Sequence, residues 1–267
     1  MQTVNLERYP SIMANHEAEN VSDRYSFIPT IQVAQAIMDK GWLPVRAQEN
    51  RTRLDTRHGF QKHMIRFRPT ANDLAVGDVF PELVLTNAHD GTSAFKLLMG
   101  LFRLACSNGM VVNESTFGSH SIRHVGYTNQ AVWEAVDHAT DTIPQITDKV
   151  KEFKAITLTP DEQGVFAQSA LDIKYKEDDQ TKRNFYPPAL LSARRYSDQG
   201  DNLWMVYNRV QENMLKGSRY EYKNVRNRWG REYSKSRKVR GVQNITEDIR
   251  LNKALWTLTE EMAKLKS

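Results

Sequence analysis

The stretch WLPVRAQENRTRLDTRHGFQKHMIRFRP, residues 42–69, predicts how the first half of the chain folds. It holds two runs of alternating character on either side of Arg57-His58-Gly59, and in the second run His63, Ile65 and Phe67 take alternate positions. Successive side chains of a strand lie on opposite faces, and a glycine-containing break between two such runs is typical of a turn. The stretch therefore predicts a β-hairpin.

This hairpin is rich in positive charge. Its basic residues are Arg46, Arg51, Arg53, Arg57, Lys62, Arg66 and Arg68, against the acidic Glu49 and Asp55. The alternation places Arg66 and Arg68 on one face together with Met64. We therefore expect a basic sheet surface.

The segments around this hairpin predict one helix and further strands. Residues 28–41, IPTIQVAQAIMDKG, have apolar residues at helical spacing and end at Gly41, which indicates a short helix. ELVLTNA and SAFKLLMGLFRLA flank the turn-forming His89-Asp90-Gly91, and Ser107-Asn108-Gly109 precedes MVV. These runs are expected to extend the sheet.

From Asn129 the apolar residues follow a helical period. One stripe comprises Val132, Ala135, Val136, Ala139, Ile143, Ile146, Val150 and Phe153, and Pro144 is expected to kink or interrupt it. Two more amphipathic helices are predicted at residues 203–215 and 245–265. For the second, Thr246 is the predicted cap, and the stripe consists of Leu251, Leu255, Leu258, Met262 and Leu265.

These patterns predict an α+β protein packed as one large domain. A mainly antiparallel sheet with a short helix makes up the β-rich part, residues 21–128, after an N-terminal extension at residues 1–20. The helical part is residues 129–267. A basic aromatic loop at residues 216–241 separates its last two helices.

The basic aromatic loop dominates the charge of the chain. It reads KGSRYEYKNVRNRWGREYSKSRKVRG and contains ten lysines and arginines against two glutamates, a net charge of +8. The whole chain carries +5, so the remaining residues sum to −3. Tyr220, Tyr222, Trp229 and Tyr233 lie among the basic residues, and Asn224, Asn227 and Gly230 suit a loop or a hairpin.

Clustered lysines and arginines attract a phosphate backbone because binding releases condensed counterions, and aromatic rings stack on unpaired bases. The other interpretation is a solvated charged connector. We favour nucleic-acid contact, because tryptophan and tyrosine are uncommon in linkers. The predicted nucleic-acid-binding residues are Arg51, Arg53, Arg66, Arg68, Lys223, Arg226, Arg228, Trp229, Arg231, Lys235, Arg237, Lys238 and Arg240.

The candidate catalytic patterns are weaker. His120 and His124 stand four residues apart without a neighbouring acidic ligand, and His89-Asp90 belongs to a predicted turn. Cys106 suits a packed thiol, and the densest carboxylate cluster, residues 177–179, lies in a charged connector. The sequence has no GxxxxGK loop for ATP. We expect no catalytic residue, no metal and no cofactor.

The first residues, the apolar runs and the cysteine content indicate the cellular compartment of the protein. The first residues show no basic stretch followed by an apolar one, and the longest apolar run, residues 97–106, is interrupted by Arg103. A single cysteine, Cys106, allows no internal disulfide. We expect a cytoplasmic protein without membrane contact.

Several phrases resemble a known family. VSDRYSFIPT, GFQKHMIRFR, ELVLTNAHDGTSAFKLLMGLFRLACSNGMVV and IRHVG, with WMVYNRVQENMLKG and RLNKALWTLTEEMA, are similar to a domain-of-unknown-function family carried by bacteriophages, plasmids and integrated elements. The similarity runs from about Val21 to Met262, with Ala88 where the pattern leads us to expect serine. The resemblance implies a mobile genetic element as the setting and no particular activity.

We therefore expect a non-enzymatic nucleic-acid-binding protein of a mobile genetic element. By analogy with phage proteins of similar size and charge, it would bind single-stranded DNA as a homo-oligomer in replication, recombination or strand annealing in the bacterial cytoplasm. Two alternatives stay open. One is an anti-defence protein that inhibits a host defence protein by binding it, and the other is a metal-dependent nuclease.

Overall fold

The computed structural model describes residues 3–19, 21–22, 25–70, 79–103, 108–112, 129–175, 187–217, 219–226 and 228–267. For residues 108, 129, 131–132, 219–226 and 232–238 the description covers the backbone. The chain divides into two compact units, Met1–Thr147 and Asp148–Ser267. The predicted α+β class is confirmed, with a sheet in the first part and mainly helices in the second.

In the described part of the first unit, five strands form an antiparallel sheet in chain order. They are β1 (Trp42–Glu49), β2 (His63–Pro69), β3 (Val79–Asn87), β4 (Lys96–Arg103) and β5 (Asn108–Val111). The register pairs His63 with Glu49 on one side and with Asn87 on the other. The predicted hairpin is confirmed as β1–β2, and a 3-10 turn at Asp55–Arg57 lies in its connection.

The predicted short helix is confirmed as α2 (Thr30–Asp39), after a single turn α1 (Pro10–Met13). Val33, Ala34 and Ile37 of this helix are fully buried, Ile31 and Met38 are half-buried, and the helix contacts β1. Gly41 follows the helix with a φ of +83°, a conformation that L-residues with a side chain rarely adopt.

Two arginines of β2 form a buried ion pair with one carboxylate. Arg66 Nη1 donates to Glu82 Oε2 at 3.0 Å, and Arg68 Nε donates to Glu82 Oε1 at 2.8 Å. The Glu82 side chain is fully buried, and the Arg66 side chain is 3% exposed. The Arg68 guanidinium also lies 3.3 Å from the centre of the Phe102 ring. The face expected to be a basic surface is therefore largely covered at these two positions, and Glu82 compensates one of the two positive charges.

Pro144 does not end the long helix α3 (Asn129–Ala155), so of the expected kink or interruption, the interruption is wrong. The proline is exposed, while its neighbours Ile143 and Ile146 are buried. Proline has no backbone N–H, so one hydrogen bond of the helix is missing here. The burial of the apolar residues on both sides of Pro144 outweighs this loss. The described members of the predicted apolar stripe are all buried, and the Val132 side chain lies outside the description.

The second unit is built on helices that pack on one another. They are α4 (Pro160–Lys174), α5 (Leu203–Leu215) and α6 (Ile245–Lys266). An aromatic cluster lies in the core. Tyr207 stacks on Trp204 with 5.6 Å between the ring centroids, and it contacts Trp256 edge-on with 6.0 Å between the centroids. The ring centroids of Phe153 and Trp256 are 5.4 Å apart. Such contacts stabilise a core beyond the buried area alone.

Both predicted helices of this unit are confirmed, with two corrections for α6. Its N-cap is Asn244, whose Oδ1 accepts from Glu247 N at 3.1 Å, and Thr246 lies inside the helix. Leu265 is 83% exposed, because it lies in the last turn, where the helix extends past the core.

The basic aromatic loop contains regular structure. Its backbone forms a two-stranded antiparallel hairpin, β6 (Arg219–Arg226) and β7 (Glu232–Lys238). The hairpin connects α5 to α6 along the chain. We call residues 219–238 the basic hairpin.

Candidate functional site

The base of the basic hairpin is a tight neck formed by two glycines. Gly217 has a φ of +82°, and a Cβ added to it would lie 2.2 Å from the Val239 carbonyl oxygen. A Cβ on Gly241 would lie 2.9 Å from the Leu215 carbonyl oxygen. The backbone of Val242 donates to that same oxygen at 2.7 Å. The two ends of the hairpin therefore approach more closely than side chains would allow.

Side chains of the helical unit hold the end of α5 next to this neck. Arg194 Nε donates to Asn213 Oδ1 at 3.0 Å, and its Nη2 donates to the Gly217 carbonyl. Lys174 Nζ donates to the Met214 carbonyl at 2.7 Å, and burial lowers the pKa of this lysine to about 8. The neck is thus attached to α4, to α5 and to the segment before α5.

Glu212, near the end of α5, forms ion pairs with two further cations. Arg195 donates to both of its carboxylate oxygens, at 2.6 and 3.0 Å, and Lys216 Nζ lies 3.1 Å from Oε1. The Glu212 side chain is only 4% exposed. Lys216, which begins the basic aromatic loop, is therefore engaged in this network and carries a structural role.

The strand register fixes which residues of the hairpin stand opposite each other. Arg219 pairs with Lys238, Tyr220 with Arg237, Glu221 with Ser236, Tyr222 with Lys235, Val225 with Tyr233, and Arg226 with Glu232. The register shifts between Tyr222 and Val225, where β6 has one residue more than β7. This is a β-bulge, and it contains Lys223 and Asn224.

The tip of the hairpin offers an aromatic ring to solvent. Trp229 is 79% exposed, and Arg228 and Arg231 on either side of it are exposed as well. Gly230 has a φ of +76°, which suits the left-handed conformation of a turn residue. The tip therefore combines a large, exposed aromatic face with two guanidinium groups.

The predicted binding residues fall into three groups. Arg51 and Arg53 are exposed in the connection between β1 and β2, and Arg66 and Arg68 belong to the Glu82 ion pair. The remainder are in or beside the basic hairpin: Lys223, Arg226, Lys235, Arg237 and Lys238 in its strands, Arg228, Trp229 and Arg231 at its tip, and Arg240 exposed beyond β7. The hairpin therefore brings eight of the thirteen together along its length, and Arg240 follows its second strand.

A second polar cluster lies buried in the first unit. His63, His89, Thr30 and Asn87 each have an exposed fraction of 0%. Thr30 Oγ1 lies 2.8 Å from His63 Nε2 and 3.2 Å from His89 Nε2, and it accepts from Asn87 Nδ2 at 3.0 Å. The cluster joins the start of α2 to β2 and to the end of β3.

The hydrogen bonds define the protonation of this cluster. His63 Nδ1 lies 3.1 Å from the Gln61 carbonyl, which can only accept, so Nδ1 carries the proton. His63 Nε2 then accepts from the Thr30 hydroxyl, and His89 Nε2 donates to it. Burial, together with a smaller effect of the nearby His89, lowers the pKa of His63 to about 3. A covered imidazole that stays neutral near pH 7 holds the fold and is unsuited to proton transfer with a substrate.

The NAHDGT phrase connects β3 to β4, as the predicted turn requires. Asp90 Oδ1 accepts from Thr92 N at 3.1 Å and from Thr92 Oγ1 at 2.5 Å. Tyr25 donates its hydroxyl proton to the Ala88 carbonyl at 2.9 Å, and burial raises the pKa of this tyrosine to about 12. The expected serine at position 88 is an alanine that is fully buried.

The remaining candidates for catalysis, Cys106, His120, His124 and the carboxylates at 177–179, lie outside the described residues. Among the residues that the structure does describe, no three histidine, cysteine or acidic side chains are grouped as metal ligands. Nor does any described helix combine the length and apolar character needed to cross a membrane.

Comparison with known proteins identifies the family of the chain. A family model described as "Domain of unknown function (DUF932)" matches residues 17–256. The chain belongs to the DUF932 family. Two Escherichia coli K12 proteins, UPF0380 protein YafZ and UPF0380 protein YfjQ, are each 34% identical to it over 253 residues, covering 95% of this chain and 88% of theirs. No solved structure matches.

The DUF932 match covers both the buried cluster and the basic hairpin. Sequence reasoning missed the cluster because its members are 33 and 59 residues apart along the chain. One signal was available: His63 shares its alternate positions in β2 with Ile65 and Phe67, and a histidine among core residues requires buried hydrogen-bond partners.

Proposed function

We propose that this DUF932 protein binds nucleic acid, and single-stranded DNA in particular, through the basic hairpin. The observation that carries the proposal is the exposed Trp229 between exposed Arg228 and Arg231 at the hairpin tip. An aromatic face stacks on an unpaired base, and flanking guanidinium groups bind its phosphates. A large exposed tryptophan is not expected in a segment that serves only as a solvated connector.

The charge distribution supports the same proposal. The region from Lys216 to Arg240 holds a net +8 in a chain of net +5. Arg51 and Arg53 supply a smaller exposed basic group in the first unit, whereas Arg66 and Arg68 are left out of the proposed surface because both are paired with the buried carboxylate of Glu82. Lys216 is left out because it pairs with Glu212.

Binding to labelled single-stranded DNA, duplex DNA and single-stranded RNA across about 50 to 200 mM salt tests the proposal. We expect the tightest binding to single-stranded DNA and a steep loss of affinity with salt. Trp229→Ala should weaken that binding by about 1 to 3 kcal/mol and leave the salt slope nearly unchanged. Trp133→Ala is the matched control, because Trp133 is also exposed but lies in α3. Weak, salt-independent binding would refute the proposal.

We further propose that the protein acts in replication, recombination or strand annealing of a bacteriophage or plasmid, as a homo-oligomer without ATP. The family resemblance suggests the setting, and the lack of a GxxxxGK loop in the sequence favours a process without ATP. The test is an annealing assay with two complementary DNA strands. The rate of annealing is measured as the rate at which the signal of unpaired DNA disappears. No acceleration over the spontaneous rate would reject the annealing role.

The exposed Trp229 also favours one alternative, binding to a host defence protein, because tryptophan and arginine dominate protein interfaces. The same variants separate the two functions. An anti-defence surface predicts that Trp229→Ala leaves DNA affinity unchanged and relieves inhibition of the host system in cells. Loss of DNA affinity together with retained inhibition would assign the hairpin to nucleic acid.

A further inference from the structure

The two faces of the basic hairpin differ in chemistry. Residues that stand opposite each other in an antiparallel pair belong to the same face, and alternate residues along a strand do too. The register therefore places Tyr220, Tyr222, Val225, Tyr233, Lys235 and Arg237 on one face, which we call the tyrosine face. The other face, which we call the mixed face, holds Arg219, Glu221, Arg226, Glu232, Ser234, Ser236 and Lys238.

Both glutamates of the hairpin lie on the mixed face. Arg226 stands directly opposite Glu232, and Glu221 is two positions along from Arg219. The paired positions of the mixed face thus hold three cations against two acids. The tyrosine face has two cations, no acid and three aromatic residues.

The spacing of the tyrosines favours an unpaired strand. Tyr220 and Tyr222 are two residues apart, so their backbone positions are separated by about 6.7 Å along the strand. Stacked bases of a duplex advance by about 3.4 Å along each strand and have both faces covered by their neighbours. Only bases that have separated from each other can each meet a different tyrosine.

We infer that the tyrosine face receives the unpaired bases and backbone of single-stranded nucleic acid. The mixed face makes no contact with it, so Arg226 and Lys238, which the sequence predicted as binding residues, do not bind. This inference rests on the proposed function and names the surface and the form of the ligand. Lys235 and Arg237 bind phosphates on the tyrosine face, and Tyr220, Tyr222 and Tyr233 stack on bases.

Two double variants with equal charge change test the inference. Lys235→Gln/Arg237→Gln removes both cations of the tyrosine face, and Arg219→Gln/Lys238→Gln removes two cations that pair with each other on the mixed face. With a labelled oligothymidine as the probe, the first should lower the slope of log affinity against log salt by about 1.4. The second should leave the slope unchanged within error.

Tyrosine variants test stacking separately. Tyr222→Leu should weaken oligothymidine binding by roughly 5- to 150-fold, and Tyr222→Phe, which keeps the ring, should restore it. Tyr196→Leu is the control, because Tyr196 is 88% exposed and lies outside the hairpin. Thermal unfolding of each variant identifies any that fail to fold, and Tyr222→Phe retains a readout if the leucine variant does.

The outcomes separate the inference from the proposed function. Equal effects of the two double variants would overturn the face assignment while leaving nucleic-acid binding by the hairpin intact. Equal loss in Tyr222→Leu and Tyr196→Leu would overturn stacking on the tyrosine face in the same way. A wild-type protein that does not bind oligothymidine would overturn both the inference and the proposed function.

Discussion

Acid should destabilise the first unit through His63. Burial lowers the pKa of His63 to about 3, from 6.5 for an unburied histidine. Between these two values the unfolded chain binds a proton that the folded chain does not, so stability is fully present above about pH 6.5 and falls as the pH falls. Each pH unit in this window removes a little over 1 kcal/mol, or about 2 kcal/mol between pH 7 and pH 5.

The assay is urea unfolding at a series of pH values between 7 and 5, a window above the ordinary pKa of carboxylates. Trp42 is 3% exposed in β1, so its signal in fluorine NMR of fluorotryptophan-labelled protein reports the first unit. His63→Gln should lower the free energy of unfolding at pH 7 by about 1 to 3 kcal/mol, because the hydrogen bond to the Gln61 carbonyl is lost. Its stability should then fall less steeply than that of the wild type down to pH 5.

The exposed histidine His58 provides the control, and His58→Gln should keep the wild-type slope. A wild-type protein whose stability is level between pH 7 and pH 5 would refute the neutral buried His63. An unchanged slope in His63→Gln would assign the pH dependence to other groups. In either case the hydrogen-bond assignment around Thr30 would have to be revised.

Three further changes test the packing of both units. Glu82→Gln should lower the free energy of unfolding by about 3 to 5 kcal/mol, because Arg66 and Arg68 lose their counter-charge, whereas the exposed Glu152→Gln should change it little in the same urea experiment. Gly217→Ala should raise the amide hydrogen-exchange rate of Val242 and weaken DNA binding, because the added Cβ would lie 2.2 Å from the Val239 carbonyl oxygen. An unchanged exchange rate would contradict the tight neck. Gly164→Ala, inside α4 with open space around its Cα, should instead stabilise the protein by about 0.5 to 1 kcal/mol, and a loss of thermal stability would count against the helix there.

Most regular elements could be predicted because their signals are local. Alternation gave the β1–β2 hairpin, and the helical period gave α2, α3, α5 and α6 within a few residues. The helix α4 was missed, although Thr159 and Glu162 form a capping box that the spacing T-x-x-E announces. Its apolar residues form too weak a stripe to reveal a helix by period alone.

Long-range partners could not be predicted from local patterns. The alternation of β2 grouped Arg66 with Arg68 correctly but could not show that both pair with Glu82 on β3. A Cβ on Gly109 would lie 2.6 Å from the Arg66 guanidinium carbon, so even the space for this side chain depends on a residue of β5. A basic row on one strand therefore predicts a basic surface only where the adjacent strand carries no acid.

The basic hairpin shows the same dependence on a partner strand. Strict alternation along β6 would group Arg226 with Tyr220 and Tyr222, and Val225 with Glu221. The bulge at Lys223 and Asn224 reverses this beyond Tyr222, so that Arg226 pairs with Glu232 and Val225 with Tyr233. One extra residue thus moves Arg226 from the face of Tyr220 and Tyr222 to the face that contains both glutamates. The surface that a strand sequence offers to a ligand is decided by its pairing, which is why composition alone indicated nucleic acid but not the face that would bind it.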